Sequence, residues 1–441
     1  MVQASNFITE DKKTLTSSAN AFLPRLVSVP LAEYEDKVEL LVDTNDTVKE
    51  GDVIAKTNGI YIHSSIPGSV KAISTRQYAN GKQGLCAEIS LKGSFSYLGK
   101  KVPRQEWECF ENTTIHFLLK EGGVVNSFSK EIPVFEEINK IRNSRSSAVL
   151  VRLFDLDPSY ITDSFIAKNY LKEVVEGALI LTKAFSVNSL ILAYSASDDD
   201  IKENLDETVI QLKNTYSSLN IEVFTLSLDT KKYPAGSMHD ITAAVKKSFK
   251  GETFSKIGRK DLFVDSSTAL NAYNAVVLRK PDVSTFVHVT GDCLNSAAML
   301  NVRIGTSLRD LVEQCGGFKR KLSKIIINGL VRGIAVSSLD IPVGRSVKSV
   351  EFVPLGSVRL QNAEKCIRCG NCRKICPVGL WPGNLYRIAH FENLDEASEA
   401  DIAAYESVIL CTECGLCNSV CTSRLSLSQT ISLLKDSYHE K

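Results

Sequence analysis

The pattern of apolar and polar positions changes its period along this chain. Between residues 38 and 73 apolar side chains come in short runs, Val38-Glu39-Leu40-Leu41-Val42, Val53-Ile54-Ala55 and Ile66-Pro67-Gly68-Ser69-Val70, separated by Lys49-Glu50-Gly51-Asp52 and Asn58-Gly59. Short runs with Gly and Pro between them predict a small β-sandwich. From about residue 101 to 270 the pattern becomes α/β. Residues 147–153 are apolar apart from Ser147 and Arg152 and suit a buried strand, residues 171–185 carry apolar side chains at helical spacing, and Leu190-Ile191-Leu192-Ala193-Tyr194 reads as a second buried strand. Asp198-Asp199-Asp200 places carboxylates in the first turn of the next helix, where they complement its dipole, and Ile201, Leu205, Val209 and Leu212 continue the apolar stripe. Residues 221–226 supply the following strand, and a βαβ unit is the natural closure. The loop after Tyr194, Ser195-Ala196-Ser197, has no glycine to let a pyrophosphate reach the backbone, so this unit reads as scaffold.

A third block spans residues 285–353. Phe286-Val287-His288-Val289 alternates like a strand, residues 308–314 have helical spacing that Gly316-Gly317 ends, and Ile325-Ile326-Ile327-Asn328-Gly329 reads as strand and turn. Strand, helix and strand in so few residues fit a β-grasp module, with His288 a structural histidine.

Composition narrows the classes. At 441 residues, 44% apolar and 23% charged, the chain has room for about three globular domains. Fifty-two basic and fifty-one acidic side chains leave a net charge of +1, so no whole-chain field points to nucleic acid or lipid headgroups. The richest apolar stretch, 177–196, is interrupted by Lys183 and Asn188, short of the ~20 apolar residues of a membrane span. The opening Met1-Val2-Gln3-Ala4-Ser5-Asn6 has neither a basic nor an apolar export region, so reduced, cytosolic thiols are expected.

The cysteines carry the chemistry. Cys366-x-x-Cys369-x-x-Cys372-x-x-x-Cys376 recurs 45 residues later as Cys411-x-x-Cys414-x-x-Cys417-x-x-x-Cys421. A thiolate every third residue wraps one corner region of a 4Fe-4S cube, and the lagging fourth cysteine ligates the other cluster in two-cluster ferredoxins. Cys366, Cys369 and Cys372 are therefore expected to share a cluster with Cys421, and Cys411, Cys414 and Cys417 with Cys376. The first copy ends Cys376-Pro377 as the signature requires; the second ends Cys421-Thr422. Structural zinc favours pairs of cysteines set apart by a longer run, which leaves a zinc-bound assembly scaffold as an alternative. Cys86, Cys109, Cys293 and Cys315 lack metal spacing and read as buried small apolar residues.

With these blocks in order, the strings Val289-Thr290-Gly291-Asp292, Ile304-Gly305-Thr306, Cys315-Gly316-Gly317-Phe318, Cys366-Ile367-Arg368-Cys369-Gly370 and Cys376-Pro377-Val378-Gly379-Leu380 resemble the C subunit of Rnf-type ion-translocating oxidoreductases over nearly the whole chain. The resemblance implies a multidomain α/β and α+β protein: a barrel-sandwich β domain at 1–100, a degenerate FMN/NADH-type α/β domain similar to the flavin subunit of complex I at 101–280, a β-grasp (SLBB-like) domain at 281–355, and an α-helical dicluster ferredoxin domain at 356–441. It also implies a subunit of an ion-translocating oxidoreductase on the cytoplasmic face of the inner membrane, bound there by membrane subunits, with two 4Fe-4S clusters. The family's FMN and NADH chemistry is not expected to survive. Its glycine loop, Gly-x-Gly-Gly-Ala-x-Phe-Pro after Gly-Val-Val, stands here as Asn126-Ser127-Phe128-Ser129-Lys130-Glu131-Ile132-Pro133 after Gly123-Val124-Val125. Side chains replace the glycines that let backbone approach a phosphate and a flat ring. Tyr-Pro-x-Gly-Gly-Glu becomes Tyr233-Pro234-Ala235-Gly236-Ser237-Met238, and Glu-Cys-Glu-Pro becomes Asp155-Leu156-Asp157-Pro158, which keeps two carboxylates able to hold a ribose but, with the glycine loop gone, reads rather as a solvated turn. No catalytic residue and no flavin-binding residue is expected. Arg368, Arg373 and Lys374 around the first motif, against Glu413 in the second, suggest an acidic partner such as ferredoxin or flavodoxin. A soluble flavoenzyme similar to corrinoid reductases remains the other redox alternative.

Overall fold

The computed structural model describes residues 2–3, 15–32, 37–129, 131–141, 147–356, 363–390 and 398–439. Lys130 of the altered loop, Met1 and Ala4-Ser5-Asn6 of the opening segment lie outside them. The short apolar runs near the start close as two antiparallel sheets. One orders Leu26–Pro30, Gln83–Leu91, Gly68–Gln77 and Thr47–Val48; the other orders Glu39–Leu40, Val53–Lys56 and Tyr61–His63. Inward residues Val29, Ile54, Ile62, Val70 and Ile89 share one core, which is what a period of two provides when one face of each sheet is buried.

The middle of the chain forms a four-stranded parallel sheet in the order Glu222–Leu228, Ser189–Ser195, Val149–Arg152 and Leu262–Asp265. Val149–Arg152 is buried along its whole length, as the apolar residues predict, and the charged Arg152 is buried with them. Helix Asp199–Thr215 starts where the three aspartates place it, with the Asp198 carboxylate accepting from the Ile201 N–H. Helices Leu171–Ala184 and Ser266–Val277 cross so closely that a Cβ on Gly177 would sit 1.9 Å from the Ala269 carbonyl oxygen. Only glycine permits that crossing.

Residues 284–354 build most of a six-stranded mixed sheet. Its order is Ala19–Asn20, Ala298–Arg303, Ser284–Thr290, Ser349–Pro354, Leu322–Ile327 and Ile334–Val336. Helix Leu308–Gln314 packs on it, started by the Ser307 cap. His288 is fully buried in the central strand. The early chain joins two bodies beyond its own sandwich, since Ala19–Asn20 edges this sheet and Val2–Gln3 pairs with Lys232–Tyr233. The C-terminal helices Asn371–Ile375, Pro382–Ile388, Glu399–Glu406, Leu416–Ser419 and Leu427–His439 include a small core of Leu380, Leu385, Ile388, Val408 and Ile431. Cys86, Cys293 and Cys315 are buried, but Cys109 is exposed, contrary to the sequence expectation. It ends the short turn Trp107–Cys109, in which Trp107 takes the buried position.

Candidate metal centres and the neighbouring cavity

The two cysteine loops share one backbone signature. Two residues past the first cysteine, Arg368 and Glu413 have φ of 57° and 55°; two further on, Gly370 and Gly415 have 77° and 72°. Left-handed residues alternating with right-handed ones turn successive N–H groups into a concavity, the nest found at many anion and iron-sulfur sites. The donors reach sulfur. The Glu413 N–H lies 3.4 Å from the Cys411 Sγ, and the Leu425 N–H is 3.4 Å from the Cys421 Sγ. Backbone N–H groups of Gly383 and Arg373 face the Cys372 thiol, and that of Asn418 faces Cys417.

Position in space crosses the two motifs. Cys411, Cys414 and Cys417 line one largely apolar cavity together with Cys376 of the first motif, Val378, Leu380 and Ile431. In the other group, a Cβ on Gly383 would meet Cys372 Sγ at 3.4 Å and Cys366 Sγ at 4.0 Å, so both thiols face that glycine. The turn after Cys421 is tied beside them: Glu364 N–H donates to the Ser423 carbonyl at 2.9 Å, and Ser423 Oγ to the Lys365 carbonyl at 2.9 Å. Burial pushes the Cys411 thiol up to about 11 and Cys417 up to about 12, so both stay protonated until a metal displaces the proton. Among the described residues no three His, Cys, Asp or Glu side chains are drawn together around a single metal ion. The donor set is all thiol, in nests with N–H groups aimed at sulfur, and that chemistry fits iron-sulfur clusters.

The altered loop lies beside this domain. Phe128 is buried, its ring 5.6 Å from that of Phe263, with the Arg152 guanidinium 4.3 Å from its centroid. Arg152 is itself fully buried and donates to the carbonyls of Phe154 (3.1 Å), Gly236 (3.0 Å) and Phe128 (3.4 Å). Next to it the Lys348 ammonium donates to Asp163 at 2.6 Å and Asp265 at 2.5 Å. Burial alone would raise the Asp265 carboxyl, but Lys348 and Arg152 hold it low; burial pushes neighbouring Asp163 up. Four buried charges thus pair at the C-terminal ends of Val149–Arg152 and Leu262–Asp265. Met238 opens a helix whose N-cap Ser237 forms a capping box with Asp240.

Asp157 is not solvated as its sequence suggests, whereas Asp155 is half-buried. Asp157 is fully buried and accepts from Ser159, from the Val331 N–H at 3.0 Å and from the Arg332 N–H at 2.9 Å. Asp155 accepts from the Asp163 N–H at 2.7 Å, at the start of helix Thr162–Asn169. Each carboxylate is satisfied by backbone donors from a neighbouring turn, which offsets its burial.

The second cysteine loop docks on this assembly. Tyr233 OH donates to the Cys414 carbonyl at 2.8 Å, Arg332 Nη2 to the Thr412 carbonyl at 2.7 Å, and a Cβ on Gly415 would lie 2.3 Å from the Val331 carbonyl oxygen. Glu413 then lines one cavity with Phe128, Arg152, Arg332 and Lys348. The first loop faces outward. Residues 363–369 are all exposed, Ile367 at 67%, and Arg373 sits over the half-exposed Trp381 ring at 5.2 Å. Sequence reasoning missed Arg332, Lys348, Asp163 and Asp265, each a solitary charge with no motif around it.

Family models match three parts of the chain: an RnfC barrel sandwich hybrid domain at residues 8–93, an SLBB domain at 286–335 and a 4Fe-4S dicluster domain at 362–425. The chain is similar to the Rnf-type C subunits. It is 22% identical over 366 residues to the C subunit of the Na(+)-translocating ferredoxin:NAD(+) oxidoreductase complex of Acetobacterium woodii, covering 82% of this chain and 81% of that one. The C subunit of the proton-translocating ferredoxin:NAD(+) oxidoreductase complex of Clostridium ljungdahlii is 24% identical over 401 residues, 88% of this chain and 85% of its own. That of the ion-translocating oxidoreductase complex of Rhodobacter capsulatus is 24% identical over 405 residues, 89% and 76% respectively. No helix among the described residues is long and apolar enough to cross a membrane.

Proposed function

We propose that this chain is an electron-transfer subunit of an Rnf-like ion-translocating oxidoreductase complex, holding two 4Fe-4S clusters in a frame whose FMN and NADH site has been replaced by side chains. The observation that supports it is the pair of cysteine loops with one left-handed signature, with Cys376 of the first motif in one cavity with Cys411, Cys414 and Cys417. Cys366, Cys369, Cys372 and Cys421 would hold one cluster; Cys411, Cys414, Cys417 and Cys376 the other. When bound, such clusters supply one-electron outer-sphere transfer and need no acid, base or nucleophile from the protein. The chain's part is to place the sulfurs, aim N–H groups at them and exclude water from the second loop. On this reading the 101–280 segment would be a flavin-type domain without its glycine loop, and the packing of Phe128 against Arg152 in the altered loop supports the loss of that site. The four segments bounded near residues 100, 280 and 355 remain the domain division that this reading uses.

Location follows from partners. With no spanning helix among the described residues, the chain would sit peripherally on the cytoplasmic face of the inner membrane, held by the complex's membrane subunits. Arg368, Arg373 and Lys374 beside the exposed first loop would steer an acidic carrier such as ferredoxin or flavodoxin. The test is anaerobic purification with iron, zinc and flavin analysis, followed by stopped-flow reduction. About eight iron atoms per chain, no flavin, and reduction by ferredoxin or flavodoxin but not by NADH plus FMN support the reading. A flavin band with rapid NADH reduction would favour the corrinoid reductase-like alternative, and zinc in place of iron the scaffold.

A further inference from the structure

Arg332 reaches the second cysteine loop from another part of the fold. Its own N–H is held by the buried Asp157 at 2.9 Å, and its Nη2 donates to the Thr412 carbonyl at 2.7 Å, between Cys411 and Cys414. Nη1 is buried and donates to no protein oxygen among the described residues. Tyr233 stands against the same guanidinium and gives its hydroxyl proton to the Cys414 carbonyl at 2.8 Å. Among the described residues the first loop has nothing comparable: its own cations, Arg368, Arg373 and Lys374, are exposed and screened by water and salt. Glu413, whose charge acts on the guanidinium, is already paired with Lys435 at 2.6 Å.

We infer that Arg332 is a positioning residue for the second cluster alone, tuning its reduction potential upward relative to the first while clamping the loop to the α/β and SLBB segments. The physical reason is charge in a place that water does not reach. Reduction adds one negative charge to a cluster already carrying four thiolates, and a permanent cation held against the ligand loop, with a spare N–H donor, favours the reduced form. An exposed cation at the same distance does less, because solvent screens it. Guanidinium also stays charged across every workable pH, so the effect does not titrate. Asp157 supplies the anchor: by fixing the Arg332 backbone it sets where the side chain starts.

This inference rests on the two-cluster reading, and the test separates the two. Arg332→Gln, Arg332→Lys and Tyr233→Phe chains are reconstituted, checked for iron, and titrated while electron paramagnetic resonance follows each cluster. With full iron, Arg332→Gln should lower the reduced-to-oxidised ratio of the second-triad cluster about tenfold at a given potential, about 59 mV for one electron, and leave the first-triad cluster unchanged. Arg332→Lys should recover most of that loss. Tyr233→Phe keeps the charge and the volume, so it should move the same cluster in the same direction by less, and it provides a readout if Arg332→Gln fails to assemble. Equal shifts in both clusters, no shift in either, or no recovery with lysine would overturn the role of Arg332. Chains without iron would instead overturn the two-cluster reading itself.

Discussion

The Arg152 guanidinium lies 4.3 Å from the centre of the Phe128 ring and is held there by the carbonyls of Phe154, Gly236 and Phe128 itself. Cation and ring are both buried and fill the space around each other, so the altered loop is packed as a small core. Phe128→Gly should cost about 3–5 kcal/mol in denaturant unfolding, since it strips a buried ring from Phe263 and Arg152. It should not restore flavin binding, because Arg152 remains. Tight FMN binding by this single variant, read from its absorbance after gel filtration, would show the loop to be a plug and not a repacked wall.

Crossed ligation makes a prediction that runs against sequence proximity. Cys421→Ser should alter the resonance signal of the cluster built on Cys366, Cys369 and Cys372, and Cys376→Ser that of the cluster on Cys411, Cys414 and Cys417. The cavity that gathers Cys376 with the second triad already has this arrangement. If each serine perturbs only the cluster of its own motif, the crossing is wrong.

Lys348 balances two buried carboxylates, at 2.6 Å and 2.5 Å. Lys348→Met leaves Asp163 and Asp265 with Arg152 as the one cation paired to them among the described residues, at 3.8 Å and 3.9 Å. The expected loss is about 3–5 kcal/mol, the usual result of removing one partner from a buried pair. A double Asp163→Asn, Lys348→Met chain should recover part of it in the same unfolding measurement. No recovery would mean that the charges are not coupled.

A pH dependence follows from Asp282, buried with the Arg345 Nε 4.0 Å away. Burial pushes its carboxyl up to about 7, against the pull of Arg345 and Lys280. Because the folded value exceeds the unfolded value of ~3.9, the folded state binds more protons between the two, and this group's contribution to stability falls as pH rises through that window. His63, also near Arg345, is depressed by burial to about 3 and is neutral through most of the same range. Asp282→Asn should therefore gain on the parent chain as pH goes from about 5 to about 8. A stability difference that stays constant with pH would refute the shift.

The sequence exposed what depends on local order and hid what depends on distant pairing. The mostly apolar residues 147–153 and the short apolar runs at 38–73 each had one good burial solution, and the three aspartates marked a helix start that the Asp198 cap occupies. The cysteines were legible because cluster chemistry imposes their spacing. Lys348 was not: its partners lie 185 and 83 positions away, and a lone lysine between Val347 and Ser349 gives no sign that it is buried. Asp157 was misread for the same reason. An Asp-x-Asp-Pro string resembles a surface turn until Val331 and Arg332 arrive with their N–H groups from the turn between Leu322–Ile327 and Ile334–Val336.

The two cysteine loops also differ in vulnerability. Cys366 and Cys369 are exposed, whereas Cys414 is buried against Tyr233 and Leu416. Molecular oxygen or a chelator reaches the first loop with no part of the fold opening. To attack the second it must wait for the Arg332–Thr412 and Tyr233–Cys414 contacts to part. In air the chain would therefore lose its sites in sequence, the outward one first, and the shelter of the inner one is provided by residues that belong to neither motif.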